Sequence, residues 1–296
     1  MSERSSIGLL GFGEVGQVLA DDLAQREGVT VRAYDTQFGT DGGPERALRA
    51  RQHVGAAASA AELASGCDLI ISAVTAAEDL AASRSLAGSL AAGTYVLDLN
   101  SVAPQTRHAC AGIVAAAGGR YVEAAVMAPI APQRIRSPIL LGGPHAEAFL
   151  ETAGRLGFEG ARAFSVDIGA ASATKMCRSV IVKGVEALVA ESLLAAHHYG
   201  VEQAVLESLG DLMRERDWQA FAHHVIERSV QHGVRRAEEM REVAATVEAA
   251  GIEPLMSRAS AARQAWAAQF PAALAKPSLV AMLDAIQAEL RGEPPC

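Results

Sequence analysis

Three glycines and one acid define the first chemistry available to this chain of 296 residues. In Ile7-Gly8-Leu9-Leu10-Gly11-Phe12-Gly13-Glu14-Val15-Gly16, the spacing G-x-G-x-x-G follows a short β-type run and opens a helical one. Gly11 can make the tight turn, Gly13 lets backbone approach an anion, and Gly16 permits close helix–strand packing, while free amides at the helix N-terminus face the charge. Such a turn cradles a pyrophosphate. Gly11, Phe12, Gly13, Glu14, Val15 and Gly16 are therefore the candidate dinucleotide loop. Asp35 ends the next β-type run, where a carboxylate accepts bonds from an adenosine ribose and repels a 2′-phosphate. That favours NAD over NADP, with Arg32 and Arg46 as the cations that could reverse the preference.

A second chemistry rests on lysine. The chain has 3 lysines against 23 arginines, so arginine serves wherever a plain positive charge suffices. Lysine alone of the two can lose its proton near neutral pH when desolvated. Lys175 and Lys183 stand on one helical stretch and are candidates for that work.

These residues need elements to hold them. Short β-type runs at Ile7–Leu10, Val29–Tyr34, Asp68–Ala73, Tyr95–Leu99, Arg120–Val126, Ile139–Leu141 and near Ala161–Phe164 alternate with helical stretches, the pattern of a parallel sheet covered by helices. Val74, just after the third run, joins the residues expected to line a cofactor. After Gly169 the β signal ends. Ala170 to about His198 reads as one helix of roughly 40 Å, stopped at Gly200. Further helices are expected at Val201–Leu212, Trp218–His232, Val234–Ala250, Glu253–Gln269 and Ser278–Arg291. The expectation is an α/β Rossmann domain over residues 1–168 followed by an all-α domain over 169–296.

Composition excludes several classes. A formal net charge of -8 speaks against a nucleic-acid binder, which needs a basic face for phosphates. Four scattered cysteines with no CxxC pair suggest neither a zinc site nor a disulfide framework, and point to a reducing cytoplasm. No uninterrupted apolar run is long enough for a membrane span. His223, His224 and His232 lack an accompanying ligand set, so no metal is expected. His197 and His198 suit the negative end of a helix, and Trp218 with Phe221 reads as core.

The stretch Gly169-Ala170-Ala171-Ser172-Ala173-Thr174-Lys175-Met176-Cys177-Arg178-Ser179 resembles the β-hydroxyacid dehydrogenase signature G-x-G-x-x-x-K-x-x-x-N. Asp98-Leu99-Asn100-Ser101-Val102-Ala103-Pro104 is similar to the D-x-S-T-x-x-P loop of that family, and Glu123-Ala124-Ala125-Val126-Met127-Ala128-Pro129 lies where it has D-A-P-V-S-G-G. The resemblance spans nearly the whole chain and is strongest to a loosely defined 6-phosphogluconate dehydrogenase-like subgroup. It implies that Lys175 is the acid–base residue, that Asn100 and Ser101 stand beside the nicotinamide, and that the long helices contribute to a homodimer. It also implies substrate-facing roles for Met127 and Arg178.

Several positions depart from the family. Ser179 replaces its asparagine, Met127 its substrate-loop serine, and Ala128 and Pro129 its two glycines. Glu238, in Arg235-Arg236-Ala237-Glu238-Glu239-Met240 ahead of Gly251, stands where a carboxylate-binding lysine is expected. The resemblance implies interconversion of an alcohol and a carbonyl by hydride transfer on a small molecule, and a negative Glu238 in the lysine's place is expected to make short 3-hydroxy acids poor substrates. An imine reductase of the same architecture and a non-catalytic NAD(H)-sensing module are the competing readings.

Overall fold

A computed structural model describes residues 5–198, 200–209, 217–249 and 253–292. The chain divides into two compact units, Met1–Met176 and Cys177–Cys296.

In the first unit the strands are β1 (Ser5–Leu10), β2 (Val29–Tyr34), β3 (Val54–Ala56), β4 (Leu69–Ser72), β5 (Tyr95–Asp98), β6 (Arg120–Val126), β7 (Ile139–Gly142) and β8 (Ala161–Ser165). Between them run α1 (Glu14–Leu23), α2 (Gly43–Arg49), α3 (Ala60–Gly66), α4 (Asp79–Ala87), α5 (Pro104–Ala116), the short α6 (Ile130–Gln133) and α7 (Ala146–Leu156). The strands form one sheet in the order β3-β2-β1-β4-β5-β6-β7-β8. The chain leaves β1 towards β2 and β3, then returns to β4 on the other side. That reversal opens a crevice at the carboxyl ends of β1 and β4, the place where such sheets bind ligands.

Alternation along each strand builds a core on both faces. Ile7, Leu9, Leu69, Ile71, Leu97 and Val122 face Leu19 and Leu23 of α1 and Phe149 and Leu156 of α7. Their neighbours Leu10, Ile70, Val96 and Tyr121 face Leu63 of α3, Leu86 of α4 and Val114 of α5. Each fully buried Leu or Ile contributes roughly 1.5–3 kcal/mol. A helix-covered parallel sheet expects near-continuous apolar strands, as in the wholly buried Leu69–Ser72.

Two features of the sheet differ from the reading of the sequence. Val54–Ala56 forms an edge strand whose three residues, one of them glycine, carry no alternation to detect. β7 runs antiparallel to β6, because the short α6 connection cannot make the crossover that parallel strands need.

α8 (Ala170–His198) begins in the first unit and continues into the second. The division at Met176/Cys177 falls later than the composition shift near Ile168, since the first turns of α8 pack on the sheet. Ala171 is buried against Ala125 and Leu140 there.

The second unit adds α9 (Glu202–Leu209), α10 (Trp218–Ala249), α11 (Leu255–Ala267) and α12 (Leu279–Leu290). Its core gathers Leu193, Leu206, Ile226, Phe270, Met282 and Leu283. The two helices expected around Gly233 are one helix of 32 residues. Gly233 is not a break: a Cβ there would meet the Gln264 carbonyl oxygen at 2.2 Å, so the glycine lets α10 and α11 approach closely. The expected helix end at Leu212, Gly251, and the side chains of His198 and Trp218 lie outside the described residues.

Candidate dinucleotide site and its lysine

At the carboxyl end of β1 the three glycines are required for three different reasons. Gly11 has φ +95°, and a Cβ on it would lie 2.4 Å from the Ala73 carbonyl oxygen. On Gly16 a Cβ would lie 2.3 Å from the Gly11 carbonyl oxygen. Gly13 faces open space instead, so nothing in the protein demands its missing side chain. An incoming phosphate does. Gly13 caps α1 without a side-chain bond, leaving the first-turn amides beside Glu14 and Val15 available to an anion. The residues present therefore fit a dinucleotide pyrophosphate.

Phe12 is fully buried, edge-on to Phe38 at 5.8 Å between ring centroids, and anchors the turn. Its amide donates to Asp35 Oδ2 at 2.8 Å, and the Gln37 amide donates to Asp35 Oδ1 at 2.9 Å. Asp35 thus braces the glycine turn as well as ending β2, and each oxygen keeps a lone pair for a ribose hydroxyl. Arg32 is paired with Glu62, and Arg46 donates to the Asp41 carbonyl. Both cations that could receive a 2′-phosphate are engaged elsewhere.

Val74 lies against the Gly11 turn, and its amide donates to Asn100 Oδ1 at 2.7 Å. Asn100 is buried, and its Nδ2 donates to Ser72 Oγ at 2.9 Å and to Asp79 Oδ1 at 2.7 Å. Asn100, expected beside the nicotinamide, is turned inward with its side-chain amide engaged in these bonds. It ties the loop after β4 to the loop after β5. Beneath it lies a buried polar network that the sequence did not disclose. Arg107, 1% exposed, pairs with Asp98 at 2.5 Å and donates to the carbonyls of Asp98 and Asn100, while the Tyr121 hydroxyl donates to Asp98 Oδ2 at 2.7 Å.

The network moves several protonation equilibria. Burial, with the negative charge of Asp98, pushes the Asp79 carboxyl up to about 7. Burial opposes the Arg107 charge, yet Asp98 holds its guanidinium well above the usual range. Burial and Asp79 raise the Cys110 thiol to about 12. Asp79, Asp98 and Cys110 bring ligand-type atoms within 4.8 Å of one another, but Arg107 is the cation that answers this charge.

Ser101 follows Asn100 on the same loop, and Lys175 Nζ donates to Ser101 Oγ at 2.6 Å. The two residues matched on separate stretches of sequence meet in space. Met127 is half-buried against Ala125, Leu140 and Ala171, and its amide donates to the Pro138 carbonyl at 2.8 Å.

In the second unit Ser179 is buried and accepts from Lys183 Nζ at 3.3 Å. Lys183 pairs with Glu239 at 2.8 Å, and burial pulls its ammonium below the ordinary value. Arg178 is exposed. Glu238 is half-buried, and it is the adjacent Glu239, not Glu238, that takes Lys183 and Arg235.

A Gly-turn at a sheet crevice and an acid after β2 define a dinucleotide-binding fold. Residues 6–154 match the NAD binding domain of 6-phosphogluconate dehydrogenase, and residues 196–267 match a domain of unknown function, DUF1932. A conserved hypothetical protein from Sinorhizobium meliloti 1021 is 35% identical, covering 95% of this chain and 96% of that one, with a TM-score of 0.71. A conserved protein reported to resemble 3-hydroxyacid dehydrogenases in structure is 31% identical, covering 89% and 97%, with a TM-score of 0.67. The 3-hydroxyisobutyrate dehydrogenase of Mycobacterium tuberculosis shares the fold at 17% identity, covering 96% and 100%, with a TM-score of 0.69. The chain belongs to the β-hydroxyacid dehydrogenase family, and its first unit is an NAD(P)-binding domain.

Proposed function

We propose that the protein is an NAD-dependent dehydrogenase or reductase that interconverts an alcohol and a carbonyl, with Lys175 as general acid and base. The observation that carries this reading is the Lys175 Nζ to Ser101 Oγ bond of 2.6 Å, in the same unit as the glycine turn. Bound NAD(H) supplies the hydride acceptor or donor. Everything else falls to the chain. The glycine loop and first-turn amides of α1 bind the pyrophosphate, and Asp35 orients the ribose. Neutral Lys175 takes the hydroxyl proton as the alcohol is oxidised and returns it in reduction, which is worth roughly 10²–10⁴ in rate. Ser101 holds the lysine amine in position and shares its proton. Asn100 acts one step back, fixing the loop that carries Ser101.

Met127 presents an apolar surface at the end of β6, and Pro129 offers no amide to an anion. Both support a substrate with an uncharged group on that side, and short 3-hydroxy acids are expected to be poor substrates. Homodimerisation is supported by exposed Ile181, Val234, Leu255 and Met256 on α8, α10 and α11. Action in the cytoplasm is supported by buried, unpaired Cys67 and Cys110. No helix of the described residues is long and apolar enough to cross a membrane.

A Streptomyces aurantiacus imine reductase shares the fold, so the imine reading is tested directly. The decisive experiment is a panel of hydroxy acids, sugar acids, bulkier alcohols and cyclic imines followed at the absorbance of NADH. Lys175→Met is expected to lower turnover of the best alcohol by at least ~10² while cofactor affinity holds. Turnover of imines alone overturns the alcohol reading, and near-wild-type turnover by the variant removes Lys175 from the mechanism. Another protein of this fold was solved with NADP+. For this chain fluorescence titration is expected to give at least ~10-fold tighter binding of NADH than NADPH, since Asp35 repels the added phosphate.

A further inference from the structure

Glu123 is fully buried in the middle of β6, the one charged side chain in the run Tyr121–Val126. A carboxylate taken out of water needs strong donors. It finds them at the start of α8. Glu123 Oε2 accepts from the Gly169 amide at 2.6 Å, and Oε1 accepts from the Ser172 amide. Gly169 precedes the first helical residue, Ala170, and Ser172 is the third. These are the two amides that a capping box satisfies with side chains of the helix itself. Gly169 has φ +94° and no side chain to offer, so a carboxylate from another element does both tasks. The helix dipole adds to the attraction.

Two neighbours fit this arrangement. Gly142 stands opposite Glu123 on β7, and a Cβ there would come within 2.7 Å of Glu123 Oε2, so the glycine vacates the carboxylate's space. Ser172 also donates its hydroxyl to the Val102 carbonyl, next to Ser101. One side of the first turn of α8 is thus fixed to β6 and the other to the loop that receives Lys175.

We propose that Glu123 is a positioning residue: its carboxylate sets the rotation and depth of α8 so that Lys175 Nζ meets Ser101. The importance of this for turnover rests on the reading of Lys175 given above, whereas the geometric claim does not. A displacement of about 1 Å in a reacting group can cost ~10² in rate, so a loosened helix start should be costly.

The test uses the full chain and its small lysine count. Reductive ¹³C-dimethylation keeps the charge of Lys175, Lys183 and Lys276 and gives three sets of lysine methyl resonances, assigned by Lys→Arg variants and told apart from the α-amine set that remains in every variant. In Glu123→Gln, where one amide must face another donor, the Lys175 resonance is expected to move or broaden while that of Lys276 stays. In unlabelled enzyme kcat should fall at least ~10-fold, with the Kd for NADH within ~2-fold. Glu123→Asp should recover part of kcat. If Glu123→Gln fails to fold, Gly142→Ala keeps the charge, displaces the carboxylate and is expected to give the same pair of changes. An unmoved Lys175 resonance in a folded variant overturns the proposal. A moved resonance, combined with full turnover in Lys175→Met, instead upholds the clamp and removes the reaction.

Discussion

Both units bury charge, but they do so for different ends. In the first, Asp79, Asp98, Arg107 and Tyr121 lie under the carboxyl ends of the strands, and their bonds reach backbone carbonyls and the loops of Val74 and Ser101. In the second, Lys183 joins Glu239 and Arg236 joins Glu186, helix to helix, among buried Ser257, Ser260 and Gln264. The first network ends on loops that meet solvent and ligand. The second ends on other side chains of the same helical core. Buried charge is therefore not by itself a mark of function; what its hydrogen bonds hold in place decides the matter.

Lysine substitutions draw that contrast most sharply. Against the loss of at least ~10² in turnover for Lys175→Met, Lys183→Met should leave turnover within a few-fold once folded. Its cost should appear in stability, below the ~3–5 kcal/mol of an unrelieved buried charge, because Arg235 still faces Glu239. Denaturant titration and kcat on the same preparations check both halves. A Lys183 variant that stays stable but inactive would join the two networks in one function.

Asp79 sharpens the comparison through pH. Its carboxyl is raised from 3.8 in the unfolded chain to about 7 in the fold, so the folded protein holds a proton that the unfolded chain releases between those values. Stability should fall as pH rises through that window, and the full penalty should be present above it. Asp79→Asn keeps an acceptor for Asn100 and removes the ionisation. Relative to wild type, the variant should gain on the order of 2 kcal/mol at pH 8 over pH 5 in denaturant titrations. A difference independent of pH would show that Asp79 ionises as freely as a surface carboxylate.

The smallest effect belongs to the second unit. Burial opposes the charge of His197, but Asp284 and Glu202 outweigh it and raise the imidazole above 6.5. Its contribution is present below that value and lost as pH rises through the higher folded value. Asp284 is largely exposed, so His197→Gln should remove no more than ~0.5–1 kcal/mol, and only on the acid side. Thermal melts at pH 5.5 and 8.5 suffice.

The loops on the sheet rim were legible in the sequence to an uneven degree. Gly11 and Gly16 announce themselves, because a positive φ at the first and close backbone contacts at both exclude other residues at fixed spacing, and Gly13 and Asp35 complete the pattern. Lys175 and Ser101 are legible from their matched stretches, though not their contact. Asn100 was assigned to the loop beside the cofactor, but its inward hydrogen bonds were not legible, since sequence shows a polar residue without showing which way it points. Glu123 left a fainter signal, a charge inside an apolar run, whereas Asp79 follows Glu78 and Arg107 stands between Thr106 and His108, so neither stood out. Such a charge reads as a surface residue until the fold shows what surrounds it. Gly233 misled for a related reason, since a helix stop and a close helix crossing call for the same amino acid.

That glycine has a consequence for the history of the chain. A mid-helix glycine costs about 1 kcal/mol against alanine, a cost accepted here for the contact of α10 with α11 at Gln264 and Ala268. Every amino acid that a single-base change at a glycine codon can introduce carries a Cβ. Position 233 therefore has no silent neighbour at the protein level: any such substitution must first spread two helices, and a lineage can leave glycine only after α11 has shifted to make room.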